Sequence, residues 1–293
     1  TSLQIFDDAD PQFLNLPADI VVSADAGQCT AEVALVAPTV TDGCRGEVAM
    51  DFLSRSDQTT PYDETASFGV GTTTVTYTYE DPDYRDNEDL VFSYNVTVVD
   101  NQDPTLVGLA NIGPVDAADG QCGAAVDFDV TADDNCPGAI VSCNYASGDF
   151  FPVGTTTVIC TAIDDSGNSA TGSFTVEVVD NQDPTITCPV GYFLPTVCDS
   201  ARLPDYTGLA QVNDNCGIAS VTQDRAPGTY LTDLAGYPFS QGDTYTLTLE
   251  VTDVNGRTAN CDMTVTFQDN DAPIITDFKQ FAIRVLRIPP EPL

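Results

Sequence analysis

The chain is 293 residues long and sets 45 acidic against nine basic residues, a formal charge of −36, with ten cysteines and no histidine. That balance excludes nucleic acid and anionic membranes as partners, because both would repel the surface. Without histidine or any CxxC pair, zinc and iron–sulfur ligation have almost nothing to use, and no apolar run reaches the ~20 residues of a membrane span.

Along the chain, one acidic phrase returns at the spacing of a whole small domain. It reads DDADP from Asp7, DNQDPT from Asp100 and again from Asp180, and DNDAP from Asp269, at intervals of 93, 80 and 89 residues. Such a period marks modules in tandem rather than the short units of a solenoid. The predicted layout has three repeats at residues 8–100, 101–180 and 181–269. Residues 1–7 read as the final strand of a preceding or exchanged repeat, and residues 270–293 as the start of a further repeat or a terminal docking strand. The chain opens at Thr1 without a methionine, as a mature protein or a fragment would.

Within each repeat, Val, Thr and Tyr alternate with period two between clusters of Gly, Pro, Asn and Asp, which is the strand signature. In repeat 1, Val75, Tyr77 and Tyr79 share one face ahead of Asp81, as do Phe92, Tyr94, Val96 and Val98 ahead of Asp100. Repeat 2 places Val158, Cys160 and Ala162 before Asp164, and Phe174, Val176 and Val178 before Asp180. Repeat 3 places Leu247, Leu249 and Val251 before Asp253, and Met263, Val265 and Phe267 before Asp269. Each repeat is therefore predicted to end in a hairpin with an acidic tip. The fold class is all-β: tandem antiparallel sandwiches of immunoglobulin type, forming an elongated rod.

The run FPVGTTTVICTAIDDSGN at Phe151–Asn168 resembles the signature of the hyalin repeat, the HYR module. The acidic-Asn-Cys turns at Asp134–Cys136 and Asp214–Cys216 and the opening DPTITCP at Asp183–Pro189 share that resemblance. Repeat 1 departs from it, with TDGC at Thr41–Cys44 and a longer tip, EDPDYRDNED, at Glu80–Asp89; repeat 2 lacks the cysteine after DPT. The resemblance implies an extracellular, immunoglobulin-like adhesion module that occurs in tandem and has no enzyme activity.

Disulfides account best for the cysteines, which places the chain in an oxidising, extracellular, cell-surface setting. Repeat 1 holds only Cys29 and Cys44, so these are expected to pair, and the equivalents are Cys122–Cys136 and Cys198–Cys216. Cys143–Cys160 and Cys188–Cys261 remain. One difficulty attends this scheme: a straight strand from Cys122 would carry the chain too far from Cys136 to bond.

The acids recur at the junctions. The hairpin tips supply Glu80, Asp81, Asp83 and Asp86, then Asp164, Asp165 and Asn168, then Asp253 and Asn255. The linkers supply Asp7 and Asp10, then Asp100, Asn101 and Asp103, then Asp180, Asn181 and Asp183. In a sandwich the tip and the preceding linker meet at one pole, and so many hard oxygens there suit calcium. The arrangement is similar to the cadherin junction, whose acidic linker shares calcium with adjoining domains. Asn95-Val96-Thr97 is an N-glycosylation sequon on an outward strand face. A glycosidase pair is disfavoured because a catalytic pair needs no copy in every repeat.

The ends read as partners for other copies of the chain. Leu3 and Ile5 within Thr1–Phe6 carry the inward pattern of a closing strand, and Ala272–Ile288 at the far end is its expected complement, head to tail. Lys279, Arg284 and Arg287 supply that end with a third of the chain's basic residues. The functional expectation is a non-enzymatic structural or adhesive component of a surface filament or repeat adhesin, stiffened by disulfides and junction calcium. The alternative is a carbohydrate-binding sandwich array meeting surface glycans through tyrosines.

Overall fold

A computed structural model describes residues 11–42, 46–47, 53–55, 65–79, 90–195 and 202–268. Several expectations fall outside the described residues: Asp7, Asp10, the tip acids Glu80, Asp81, Asp83 and Asp86, Cys44 and Cys198, and the end segments Thr1–Phe6 and Ala272–Ile288. The chain divides into two compact units, Thr1–Pro114 with Ala125–Glu177, and Val115–Ala124 with Val178–Leu293.

Three four-stranded sheets share one order. In the first, Ile20–Ser23 lies beside Leu90–Val99, then Gly71–Tyr79, then Leu53–Arg55. The second runs Ile112–Asp116, Ser169–Val179, Gly154–Ile163, Ile140–Cys143. The third runs Tyr192–Pro195, Thr258–Gln268, Thr244–Asp253, Ile218–Gln223. Long hairpins form the centre of each sheet. Gly71↔Val98 through Tyr79↔Leu90 sets the register of the first, and Thr244↔Thr266 through Thr252↔Thr258 that of the third.

The period-two pattern lands where it was expected. Val75, Tyr77, Tyr79, Tyr94, Val96 and Val98 are buried together, and residues of the facing pair Thr30–Ala34 and Thr65–Gly69, notably Val33 and Phe68, complete that core. In the third module Leu247, Leu249, Met263, Val265 and Phe267 are buried with Leu203 and Tyr206. Outward positions of the first hairpin carry hydroxyls that bond across the strands, such as Thr72 to Thr97 and Thr76 to Ser93. Asn95 joins this ladder, its Oδ1 accepting from Thr74 Oγ1 at 2.9 Å, so the sequon sits on the outward face.

One element of the expected topology is corrected. The sheets are not wholly antiparallel, because the opening strand runs parallel to the closing one, with Ile20↔Val96 in the first sheet and Tyr192↔Val265 in the third. The chain enters at one pole and leaves at the other, and strands that begin and end such a module point the same way.

Candidate functional site: the acidic junctions

Each junction begins with the linker. Asp100 follows its closing strand and is buried, and its Oδ1 accepts the backbone N–H of Gln102 and Nδ2 of Asn135. Gln102 then reaches back into the preceding module, where its Oε1 accepts the Gly27 N–H and its Nε2 donates to the Asp25 carbonyl. The second linker repeats the arrangement. Asp180 Oδ1 accepts from Gln182 N–H and Asn215 Nδ2, while Gln182 clamps Gly120 and Ala118.

After the linker, a short strand pairs with the one that leads into the acidic-Asn-Cys turn, with Thr105↔Asp133 and Thr185↔Asn213 in register. That pairing puts the turn beside the linker. Asp134 Oδ2 accepts the Cys136 N–H, and Asp214 Oδ2 accepts those of Cys216 and Gly217. Asn135 Nδ2 also donates to the Gln28 carbonyl at 3.0 Å, and Asn215 Nδ2 to that of Gln121 at 2.9 Å.

The cysteine scheme is overturned here. Cys29 bonds Cys136 and Cys122 bonds Cys216, so neither Cys29–Cys44 nor Cys122–Cys136 nor Cys198–Cys216 forms. The reason is polar: the Cys29 and Cys122 loops face the outgoing linker, whereas the acidic-Asn-Cys turns face the incoming one. Within one repeat they lie at opposite ends, which is the difficulty the Cys122–Cys136 pairing met; across a junction they meet. Cys143–Cys160, on directly facing strand positions, and Cys188–Cys261 form as expected.

The oxygens left over define the site. Asp100 Oδ2, Asp134 Oδ1 and Asn135 Oδ1 at the first junction are buried and accept no hydrogen bond, nor do Asp180 Oδ2, Asp214 Oδ1, Asn215 Oδ1 and Asp253 Oδ2 at the second. Carboxylate oxygens of Asp180, Asp214 and Asp253 lie within 4.8 Å of one another, and Asp100 and Asp134 are likewise grouped beside Cys136, whose sulfur is committed to its bridge. At that separation, and an effective dielectric near 20, each pair of like charges repels by roughly 3 kcal/mol. Buried acceptors without donors, held in mutual repulsion, are a cost that a hard cation removes. With the sulfur of Cys136 committed, the donors left are carboxylate and amide oxygens, the hard-oxygen class of ligand that calcium takes.

The two hairpin tips differ in an instructive way. Asp164 accepts from the Ser166 and Asn168 N–H groups and from Asn168 Nδ2, so both its oxygens are engaged; Asn168 Nδ2 also reaches the Asp100 carbonyl. Asp253 holds its tip through Oδ1 alone, because Arg257 replaces that asparagine and turns to Asp183 at 2.7 Å. Its Oδ2 is thereby released into the cluster.

Burial pushes the Asp164 carboxyl up, but the donations from Asn168, Gly167 and Ser166 outweigh it and hold the group below its ordinary range. A carboxyl depressed in the folded state stabilises above its unfolded pKa and loses that contribution as pH falls through the folded one. Acidification to below about pH 4 is thus expected to loosen this tip; carboxyl shifts followed by NMR should place the Asp164 midpoint below that of an unstructured aspartate.

Of the expected ligands, Asp100, Asp180 and Asp253 stand in the clusters, and Asp164 stands beside the first. Asn101 donates to Ser23 and Asn181 to Asp116, both in the preceding module. Asp103 lines a cleft with Asp133, Asp134 and Asn135. Asp165 packs against Gly138, whose φ of +117° and lack of a Cβ admit the carboxylate. Asn255 gives its N–H to Asp253. Asp134, Asn135, Asp214 and Asn215, not singled out as ligands by the sequence, stand at the same junctions with unpartnered buried oxygens. The tyrosines of a glycan platform are partly spent elsewhere, with Tyr77, Tyr79, Tyr94 and Tyr206 in the cores.

Comparison with known proteins supplies the lineage. The family model described as "HYR domain" matches residues 6–98 and 99–178. The chain is 33% identical over 71% of its length to "Hyalin" of Strongylocentrotus purpuratus, covering 18% of that protein. It is 30% identical over 92% of its length to "Hyalin" of Lytechinus variegatus, covering 51% of that protein, so it spans about half or less of these relatives. Among solved structures, a protocadherin gammaB7 EC3-6 cis-dimer structure aligns with 89% of this chain and 78% of its own at 13% identity and a TM-score of 0.35. With the HYR model covering two successive repeats and the disulfides of an oxidising, extracellular compartment in place, the chain belongs to the HYR domain family.

Proposed function

We propose that this chain is a non-enzymatic structural or adhesive segment of an extracellular surface assembly, whose repeats are fixed by bridging disulfides and by calcium at the junctions. The observation that carries the reading is the set of seven buried side-chain oxygens that accept no hydrogen bond, three at the first junction and four at the second. Asp100, Asp134 and Asn135 would hold the ion at the first junction, and Asp180, Asp214, Asn215 and Asp253 at the second. The ion supplies charge neutralisation and rigidity; the chain supplies fixed oxygens, with Gln102 and Gln182 setting the linker against the preceding module.

An array so joined suits load transmission along a cell surface, and the three repeats at 8–100, 101–180 and 181–269 form its unit. Pairing of Thr1–Phe6 with Ala272–Ile288 of another copy is part of the same proposal, as a route to a filament.

The test is calorimetric. Calcium at about ten times its dissociation constant is expected to raise the unfolding free energy by about 1.4 kcal/mol per site, and Asp100→Asn with Asp180→Asn to remove most of that gain. Equal melting curves in calcium and in chelator would overturn the reading.

A further inference from the structure

One residue in each cluster faces two ways. Asn135 Nδ2 donates both to Asp100 Oδ1 in the carboxylate cluster and to the Gln28 carbonyl, one residue before Cys29, while its buried Oδ1 accepts no hydrogen bond. The residue after it, Cys136, closes the bridge to Cys29, and its own N–H is held by Asp134 Oδ2. Asn215 does the same between Asp180 and Gln121, with Cys216 closing on Cys122 and Asp214 holding the Cys216 N–H. Buried oxygens without donors and a bridging sulfur thus leave one three-residue turn, twice in the same chain.

Resting on the calcium reading above, we infer that occupancy of each cluster is linked to closure of the disulfide on the same turn. With the bridge open, the turn is tied to the preceding module only by hydrogen bonds, and ordering its oxygens around an ion costs more. With the bridge closed, that ordering is already made. Without a cation, repulsion among the buried carboxylates pushes the turn from the linker and carries its sulfur away from the partner cysteine. Linkage is reciprocal: whatever factor closure adds to calcium affinity, calcium adds to the equilibrium constant for closure.

The closing step is ordinary thiol–disulfide exchange with oxidised glutathione. The Cys29 thiolate attacks one glutathione sulfur, releasing a glutathione thiol, and the Cys136 thiolate displaces the second, so one S–S bond forms as another breaks. Two electrons and two protons pass from the protein thiols to one molecule of oxidised glutathione, which leaves as two of reduced glutathione.

The experiment equilibrates the full chain in a glutathione buffer with calcium or with a chelator, alkylates it, and reads the oxidised fraction of each bridge by peptide mass spectrometry. Cys143–Cys160 joins facing positions of two strands in one sheet and serves as the internal control. Calcium is expected to raise the oxidised-to-reduced ratio of Cys29–Cys136 and Cys122–Cys216 about tenfold and to leave the control within about twofold. Calorimetric titration of the oxidised chain with calcium runs beside it, and Asn135→Ala is expected to weaken the first site while sparing the second. Calcium binding without a differential shift of the two bridges would overturn the linkage and leave the calcium reading standing. No calcium binding by the oxidised chain would overturn both.

Discussion

Replacing Cys29 and Cys136 together by serine is expected to lower the unfolding free energy of the first two modules by about 4–5 kcal/mol. The bridge spans 107 residues, and in the chain-entropy description closing a loop of about 100 residues restricts the unfolded chain by about 4.7 kcal/mol. Replacing Cys143 and Cys160 removes a loop of only 17 residues, for which the same description gives about 3 kcal/mol. A scheme of bridges confined to single repeats gives a different sum, because the same double substitution would then open two loops of about 15 residues at about 3 kcal/mol each. Denaturant midpoints of the two double variants compare them directly, and non-reducing peptide maps should recover Cys29 joined to Cys136. A smaller loss for the Cys29 and Cys136 variant than for the Cys143 and Cys160 variant would refute the junction-bridging role. A secondary effect is expected in the first hairpin tip, since Asn168 reaches the Asp100 carbonyl at the same junction.

The second junction is expected to bind calcium at least tenfold more tightly than the first. Asp180, Asp214 and Asp253 supply three carboxylates there, where Asp100 and Asp134 supply two, because Asp164 is spent on its own tip. Ligand charge sets affinity in oxygen sites of this kind. A unit charge at about 4 Å contributes about 4 kcal/mol per unit charge at an effective dielectric of 20; even after desolvation, a tenfold difference needs only about 1.4 kcal/mol. With the first site in the extracellular range of roughly 10⁻⁴–10⁻³ M, a titration should resolve two classes. Asp253→Asn should merge them while leaving the hairpin folded, since the Asn255 and Arg257 N–H groups donate to Oδ1, which an asparagine side chain retains. If Asp253→Asn weakens neither class, Asp253 is not a ligand.

The fold was legible because strand faces are a local property. Val75, Val158 and Leu247 stand at matching places in three repeats, each directly after a threonine and on a face that recurs every second residue, so period two alone put them inward. The bridging pattern was not legible that way, because it depends on which pole of a module a loop occupies. A signal existed nonetheless. Cys29 and Cys122 are 93 residues apart and Cys136 and Cys216 are 80 apart, the same steps as the linkers, so both sets keep time with the junctions. That match runs across repeat boundaries and does not show within any one repeat. The place of Asn135 at the junction was hidden for a different reason: an acidic-Asn-Cys turn looks like any Asx turn until the neighbouring linker is placed against it. Asp253 was legible as an acid but not as different from Asp164; that distinction lies four residues on, where Arg257 stands in place of Asn168.

The two bridging disulfides overlap in the sequence, since Cys122 lies inside the loop that Cys29 and Cys136 close. A tensile load applied at residues 29 and 216 therefore has a covalent shortcut: across to 136, back along 14 residues to 122, and across again to 216. That path can lengthen to only about 50 Å plus the two bridges, whereas the unbridged 187-residue span would pay out to roughly 600 Å at about 3.4 Å per residue. Such a chain behaves as a tether with a hard stop. Hydrogen bonds in its modules can fail under pull without the contour between those anchors growing, and only a reductant turns the segment into a long, yielding spring.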